Sequence, residues 1–432
     1  MRTVSAFQIF GLSQQAVTIG VYWLWSKSAS STETIGEVEL LFYLGYALTF
    51  YWLAGLLQAF LRQSPRVAAE QQQSFRWKVY CILMGLVLVV ASITWWGRSW
   101  LVPTLTQRTE LPLLGWFLGY LILNLPASLT EHLYVADDRG NALLRYATWS
   151  LGSQLLLLGV LPWSGFSILT ALQTLVVVGV ARHGWLLYEL SKNNTNIAHK
   201  ALHWTALRPL WWGPAVPLMG YAFFGGIAMT LDGWLVNYHY DGDAQQFAIF
   251  RYGARELPLV LVLTAALSNA MLPKLGRNAH AHLPELRRSA LRLMHLLFPL
   301  SIVLMWTSSW IYPWVFNADF APAAAVFNVL LLVLIPRVVF SHTVLLGVGE
   351  ERLLARVALF ELFINLACSF WLVQTMGLPG IALGTVIAYS FEKIVYAIRL
   401  YDLKRIALNT YLPFGWWLIY STILLISYLF TV

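Results

Sequence analysis

Apolar residues run through this chain in long, nearly uninterrupted stretches parted by short polar turns, a spacing far longer than strand alternation or an amphipathic stripe. Stretches of about 20 residues or more, enough to cross roughly 30 Å of hydrocarbon at about 1.5 Å per helical residue, fall near residues 4–26, 38–61, 78–97, 111–135, 143–162, 166–189, 209–236, 246–273, 289–312, 322–347, 353–375, 379–399 and 410–430. Helices are what such stretches predict, because backbone amides inside lipid must be satisfied within their own segment. The expected fold is all-α, a polytopic transmembrane helix bundle with thirteen candidate spans.

Composition points the same way. Of 432 residues, 59% are hydrophobic and 11% charged, against about 25% charged in a soluble domain. Cys81 and Cys368 sit in separate apolar stretches, giving neither a disulfide framework nor a metal-ligand spacing, so no metal and no cofactor are expected. The first stretch exceeds a signal-peptide core and lacks a small-x-small cleavage site, and reads as a helix of the mature protein. The net charge of +8 reads as topology. With a cytoplasmic N-terminus, 22 of the 28 lysines and arginines fall on the cytoplasmic side, Arg182 and Lys393 among them. Of the other six, Lys27, Arg98 and Arg108 lie at outer span ends, and Arg251, Arg255 and Arg337 lie within spans. This is the bias of a multi-pass protein of the bacterial cytoplasmic (inner) membrane, whose basic loops face anionic membrane lipids, and it implies no nucleic-acid partner.

The chain also echoes itself. Ala136-Asp137-Asp138-Arg139 closes the fourth stretch and Gly349-Glu350-Glu351-Arg352 closes the tenth, 213 residues later. Gly36-Glu37 and Gly242-Asp243 open the second and eighth stretches at an offset of 206. Two parallel, pseudo-symmetric six-helix lobes are therefore expected over 1–190 and 209–400, joined by a cytoplasmic linker at 191–208 and followed by an extra helix within 401–432.

Several segments resemble a known family. The stretch from Asp232 to Asp243, then Phe250-Arg251-Tyr252-Gly253-Ala254-Arg255-Glu256-Leu257-Pro258 and the run to Met271-Leu272-Pro273, is similar to the seventh and eighth helices of O-antigen-type polysaccharide flippases. Leu345-Leu346-Gly347, Glu350-Glu351-Arg352, Asn365 and the stretch from Gly377 to Thr385 resemble their tenth to twelfth helices. These flippases form one branch of the multidrug/oligosaccharidyl-lipid/polysaccharide exporter superfamily. The resemblance implies two six-helix bundles around a central cavity, alternating access, and a polyprenyl-diphosphate-linked glycan as cargo for surface polysaccharide synthesis, with polysaccharide polymerase machinery as a further partner. Relatives often have twelve or fourteen spans, and a thirteenth leaves the C-terminus outside.

Charges left inside the hydrocarbon are costly enough to mark function or to pair with one another. Arg251 and Arg255 stand at i,i+4, expected on one helical face about 8 and 14 Å from the outer end of their span, and Arg337 lies about 22 Å from the outer end of its own. Three guanidiniums can fork onto diphosphate oxygens; the competing reading is an internal ion-pair network with Asp232 and Glu361 as partners. Lys27 either extends the basic lining or snorkels. Glu131 and His132 are a candidate coupling pair or a packed polar pair, although neighbours on a helix diverge. Glu392 and Lys393 read as interfacial.

Helix breakers Pro214, Pro217, Gly220, Gly225 and Gly226 crowd the seventh stretch, which is either a hinge or a site of close packing. Tryptophans and tyrosines gather at span ends as an aromatic belt. Three functions compete. A glycan-lipid flippase needs a basic cavity; an ion-coupled drug extruder needs acids in the first lobe, where the first span offers Gln14 and Gln15; a membrane-embedded glycan-processing enzyme needs a sizeable extramembrane loop, and the longest interspan segments span about 20 residues. Asp241 and Asp243 resemble a metal pair but read as solvated turn acids. Transport, with no catalytic residues, is the expectation.

Overall fold

The structure, a computed structural model, describes residues 3–192 and 201–431. Every element among them is helical: α1 (Thr3–Ser26), α2 (Thr32–Gln63), α3 (Gln72–Trp96), α4 (Arg98–Thr106), α5 (Leu114–Ala127), α6 (Leu129–Ala136), α7 (Gly140–Gln154), α8 (Leu161–Trp163), α9 (Ile168–Ser191), α10 (Trp204–Leu207), α11 (Gly213–His239), α12 (Ala244–Gly253), α13 (Pro258–Arg277), α14 (Ala279–Val315), α15 (Ala323–Leu331), α16 (Leu334–Arg337), α17 (Ser341–Gly347), α18 (Glu351–Met376), α19 (Leu378–Lys404), α20 (Leu408–Tyr411) and α21 (Phe414–Thr431), with short 3-10 and π turns between. All thirteen apolar stretches are helical. Among the described residues eight helical runs are long and apolar enough to cross a membrane, and a ninth if the pair bent by 42° at residues 338–340 is one span. Two of the uncounted stretches are interrupted, the fourth at Ser128 and the fifth by a π turn at Leu155–Val160, and the eighth counts only from Pro258 onward. The chain is a multi-pass membrane protein.

Two compact units share the chain. Unit 1 comprises residues up to Thr230 together with Asp241–Gln245, and unit 2 comprises Leu231–Tyr240 and Gln246 onward. The boundary thus falls inside the helix α11. Part of the 191–208 linker lies outside the described residues.

In unit 1, α1 packs along α7, and α9 packs between α5 and α2. The turn 241–243 is held to this unit by Arg108, which donates from Nε to the Gly242 carbonyl at 2.7 Å and pairs with Glu37 at 3.0 Å. The interior of the unit is not purely apolar. Arg182, counted above among cytoplasmic basic residues, lies in the middle of α9 and is only 6% exposed. Its Nη2 meets Glu131 Oε1 at 2.8 Å, its Nε donates to Tyr146 Oη at 2.9 Å, and Nη1 donates to Asn124 Oδ1. An arginine counted by position alone is assigned to the wrong environment when a buried acid and two polar neighbours receive its guanidinium.

In unit 2, α18 and α19 form a tight hairpin around Gly377, whose φ of +65° no side chain adopts without strain. A Cβ at Gly384 would come within 2.6 Å of the Ser369 backbone nitrogen, so this small residue lets two helices touch along their backbones. Helices α13 and α14 run together, and α21 packs on α14.

The internal echo has a structural counterpart, in a corrected register. The Asp138 amide bonds the Val135 carbonyl and the Arg139 amide that of Tyr134; the Gly349 amide bonds Leu346 and the Glu350 amide bonds Leu345. Asp138 and Gly349 both take positive φ, 53° and 83°. Helices α7 and α18 then start at Gly140 and Glu351. Each equivalence is an offset of 211 (349 − 138, 351 − 140), not 213, because the two turns superpose by hydrogen bonding and not by their acidic residues. The same offset carries Arg182 onto Lys393, also 6% exposed and paired with Glu392. These two residues are therefore interior, not interfacial as expected.

Replacing Glu131 with alanine should leave a buried, uncompensated guanidinium and destabilise unit 1 by roughly 3 kcal/mol or more. A thermal melt in detergent should show a lowered midpoint, while Glu131→Leu combined with Arg182→Met restores most of it. An unchanged midpoint in the single variant would remove Arg182–Glu131 as a structural pair.

Candidate functional site

The eighth stretch does not run as one helix. Pro258 restricts the residue before it to extended backbone, and Leu257 takes φ −57°, ψ 120°, so α12 ends at Gly253 and α13 begins at Pro258. Gly253 permits close packing here, since a Cβ would lie 2.7 Å from that of Val326 on α15. Arg251 lies on α12, whereas Arg255 and Glu256 lie in the irregular segment. The expected shared i,i+4 face is thereby lost. The two arginines still associate, because Arg255 Nε donates to the Arg251 carbonyl at 3.3 Å.

Around this break is a small cavity of about 10 Å³, room for about one water, lined by Arg255, Glu256, Val260, Ser301, Leu334 and Arg337 among others. Arg337 reaches it from the end of α16, a four-residue helix on the bent pair. Its acid partner is Glu256, at 2.5 Å, an acid that was not among the partners named for an ion-pair network. Its guanidinium also lies 5.2 Å from the Tyr389 ring. Two buried polar atoms here, Arg337 Nε and Ser301 Oγ, have no hydrogen-bond partner. The cavity therefore combines guanidiniums, a single carboxylate and unsatisfied donors at a point where a span is interrupted. That is chemistry for an anion's oxygens, with Glu256 as the internal competitor.

Tyr389 links this cavity to a second charged cluster. Lys393 Nζ sits 4.2 Å from the Tyr389 ring and 5.5 Å from that of Tyr396, beside its partner Glu392. Glu361 is within electrostatic reach of both Glu392 and Lys393. It belongs to this cluster.

Asp232 is met by the α18–α19 hairpin. Thr385 Oγ1 donates to its Oδ2 at 3.0 Å, Asn365 also bonds the carboxylate, and Oδ1 is buried without a partner. Asn365 Nδ2 donates to Thr385 Oγ1 at 3.2 Å, and Ser369 Oγ stands 3.2 Å from Asn365 Oδ1 and 3.0 Å from the Ile381 carbonyl. Asp232, Thr385 and Ser369 offer oxygen and Asn365 an amide, a set suited to a hard cation and unsuited to zinc or copper. No group of three or more His, Cys, Asp or Glu side chains among the described residues is arranged to hold a metal.

The remaining expected residues belong to unit 1. Glu131 pairs with Arg182, while His132 donates from Nδ1 to the Ser128 carbonyl at 2.9 Å and meets the Phe7 ring edge-on, so the two neighbours diverge as helix geometry requires. Lys27 follows α1 in an exposed turn of unit 1. Pro214, Pro217, Gly220, Gly225 and Gly226 all lie in the continuous helix α11, and the nearest departure from α geometry is the π turn Arg208–Trp212 just before it.

Glu256, Ser301, Tyr389, Ser369 and Thr385 were not singled out for a role by sequence reasoning. For Glu256 a signal existed: an acid directly before a Leu-Pro pair inside an apolar stretch marks a charge at a helix break. Ser301, Tyr389 and Ser369 carry no comparable signal, being ordinary residues of apolar helices.

No protein-family model and no curated protein matches this chain. Solved structures do. The chain is similar to the lipid II flippase MurJ in an inward closed conformation, with a TM-score of 0.69 at 13% identity, covering 98% of this chain and 97% of that one. It is similar to an inward-facing multidrug resistance MATE family transporter of the MOP superfamily, with a TM-score of 0.65 at 15% identity over 90% and 96% of the two chains. A MOP superfamily transporter from Pyrococcus furiosus, described as having a binding pocket of reverse polarity, follows at 0.59 and 15% identity over 93% and 95%. The chain shares the fold of these solved proteins. That fold is shared by flippases and drug extruders alike, so the residues of unit 2 carry the distinction.

Proposed function

We propose that this protein is a flippase that moves a polyprenyl-diphosphate-linked oligosaccharide across the bacterial cytoplasmic membrane by alternating access, with its N-terminus in the cytoplasm. The observation that carries this reading is the Arg255–Glu256–Arg337 cavity at the break of the eighth span, with Arg251 adjoining. An organic-cation site would place acids where these guanidiniums stand. The diphosphate head engages Arg251, Arg255 and Arg337, displacing Glu256; on the far side Glu256 retakes Arg337 and the head is released, so a competing carboxylate keeps the cations from trapping their cargo. Lys27 extends the path, and α11, within which the chain passes from unit 1 to unit 2, is the hinge. The polyprenyl tail stays in lipid throughout.

In cells lacking the native flippase, Arg251→Gln with Arg255→Gln, expressed at normal level, should abolish surface glycan while lipid-linked precursor accumulates inside. Undiminished glycan export would sink the assignment of these arginines.

The Asp232–Asn365–Ser369–Thr385 cluster favours ion coupling, which would also serve the alternative of a multidrug or small-molecule extruder. In our reading it holds a sodium-like cation whose binding drives the return step. Sodium should raise the melting midpoint of the purified protein and Asp232→Asn should cancel that effect; a sodium response that survives the substitution would relocate the coupling site.

A further inference from the structure

Unit 2 carries a second cationic recess, built from different residues. It is a cleft of about 620 Å³ between the start of α14 and the α20–α21 corner, where His280, Arg287 and Arg288 face Thr410, Pro413 and Trp416. No carboxylate lines it. The acid on the same helix segment, Glu285, is engaged by Lys274 and by His282, the latter at 3.3 Å. Leu283, Pro284 and Leu291 supply an apolar floor.

Three further features bear on what fits here. Pro413 immediately precedes α21, an 18-residue helix, so the unpaired first amides and the positive end of that helix border the recess. Behind Trp416 lies a packed cluster: His295 Nδ1 and Tyr420 Oη are 2.8 Å apart, Phe298 stacks on Tyr420 at 5.2 Å between centroids, and Trp416 stacks on Tyr420 at 5.9 Å. From Trp416 the exposed surface continues as Leu296 on α14 and Leu418 and Ile419 on α21, each about half exposed on helices that pass for membrane spans. The recess thus joins cationic side chains to two span-length helices that carry exposed apolar residues.

We propose that this recess binds the phosphate head of an anionic phospholipid of the surrounding bilayer, with Arg287, Arg288 and His280 on the phosphate, Trp416 at the glycerol level and the acyl chains along α14 and α21. A free phosphate would use the cations but leave the apolar floor and the adjoining surface unused. The proposal is independent of the flippase reading, because it needs only that these helices lie in a bilayer.

The test uses the purified full-length chain in detergent, with its melting midpoint followed as phosphatidylglycerol, phosphatidylcholine or inorganic phosphate is added. Phosphatidylglycerol should stabilise at lower concentration than phosphatidylcholine. Arg287→Gln with Arg288→Gln should melt like the parent without lipid yet need on the order of tenfold more phosphatidylglycerol. Equal response to the two lipids, or an unchanged response in the double variant, overturns the proposal. Full stabilisation by inorganic phosphate alone overturns it in favour of a free-anion site.

Discussion

The cost of an ionised group in hydrocarbon governs this molecule. A guanidinium or ammonium kept away from water must be met by a carboxylate, a hydroxyl or an aromatic face. Arg182 is met by Glu131, Asn124 and Tyr146; Lys393 by Glu392, Tyr389 and Tyr396; Arg337 by Glu256 and Tyr389. Arg182 and Lys393 occupy equivalent positions in a repeat of 211 residues, so each half has solved the same burial problem with different partners.

Arg337 is the incomplete case. Its Nε has no partner and it opens on a cavity, because Pro258 interrupts the span that would otherwise have closed over it. An interrupted helix offers irregular backbone and displaced side chains where a continuous one offers only apolar surface. The sequence Ala254-Arg255-Glu256-Leu257-Pro258 thus makes both the break and the charges that occupy it. Glu256 occupies the Arg337 guanidinium in this structure.

Much of this was legible in the sequence. Apolar run length located thirteen stretches that are helical, though not the short α4 and α10, and the arginines within spans drew notice because charge there is rare. Register and partnership were not legible. The echo at 213 followed acidic letters, whereas hydrogen bonding sets the turns at 211. Arg182 was counted with the cytoplasmic basic residues, a count that says nothing of Glu131 on another helix. Arg251 and Arg255 were placed on one face by a periodicity that Pro258 cancels. Asp232 looked like an arginine partner by depth, yet Thr385 and Asn365 reach it from the α18–α19 hairpin, a long-range pairing that spacing along the chain does not encode.

The most direct test of a diphosphate site in unit 2 is equilibrium binding to the purified protein of a polyprenyl diphosphate, the matching polyprenyl monophosphate and a lipophilic organic cation. The account predicts that the diphosphate binds more tightly than the monophosphate, that Arg255→Gln with Arg337→Gln removes this preference, and that the organic cation does not compete. Equal binding of the two phosphates, or displacement of the diphosphate by the organic cation, would contradict it.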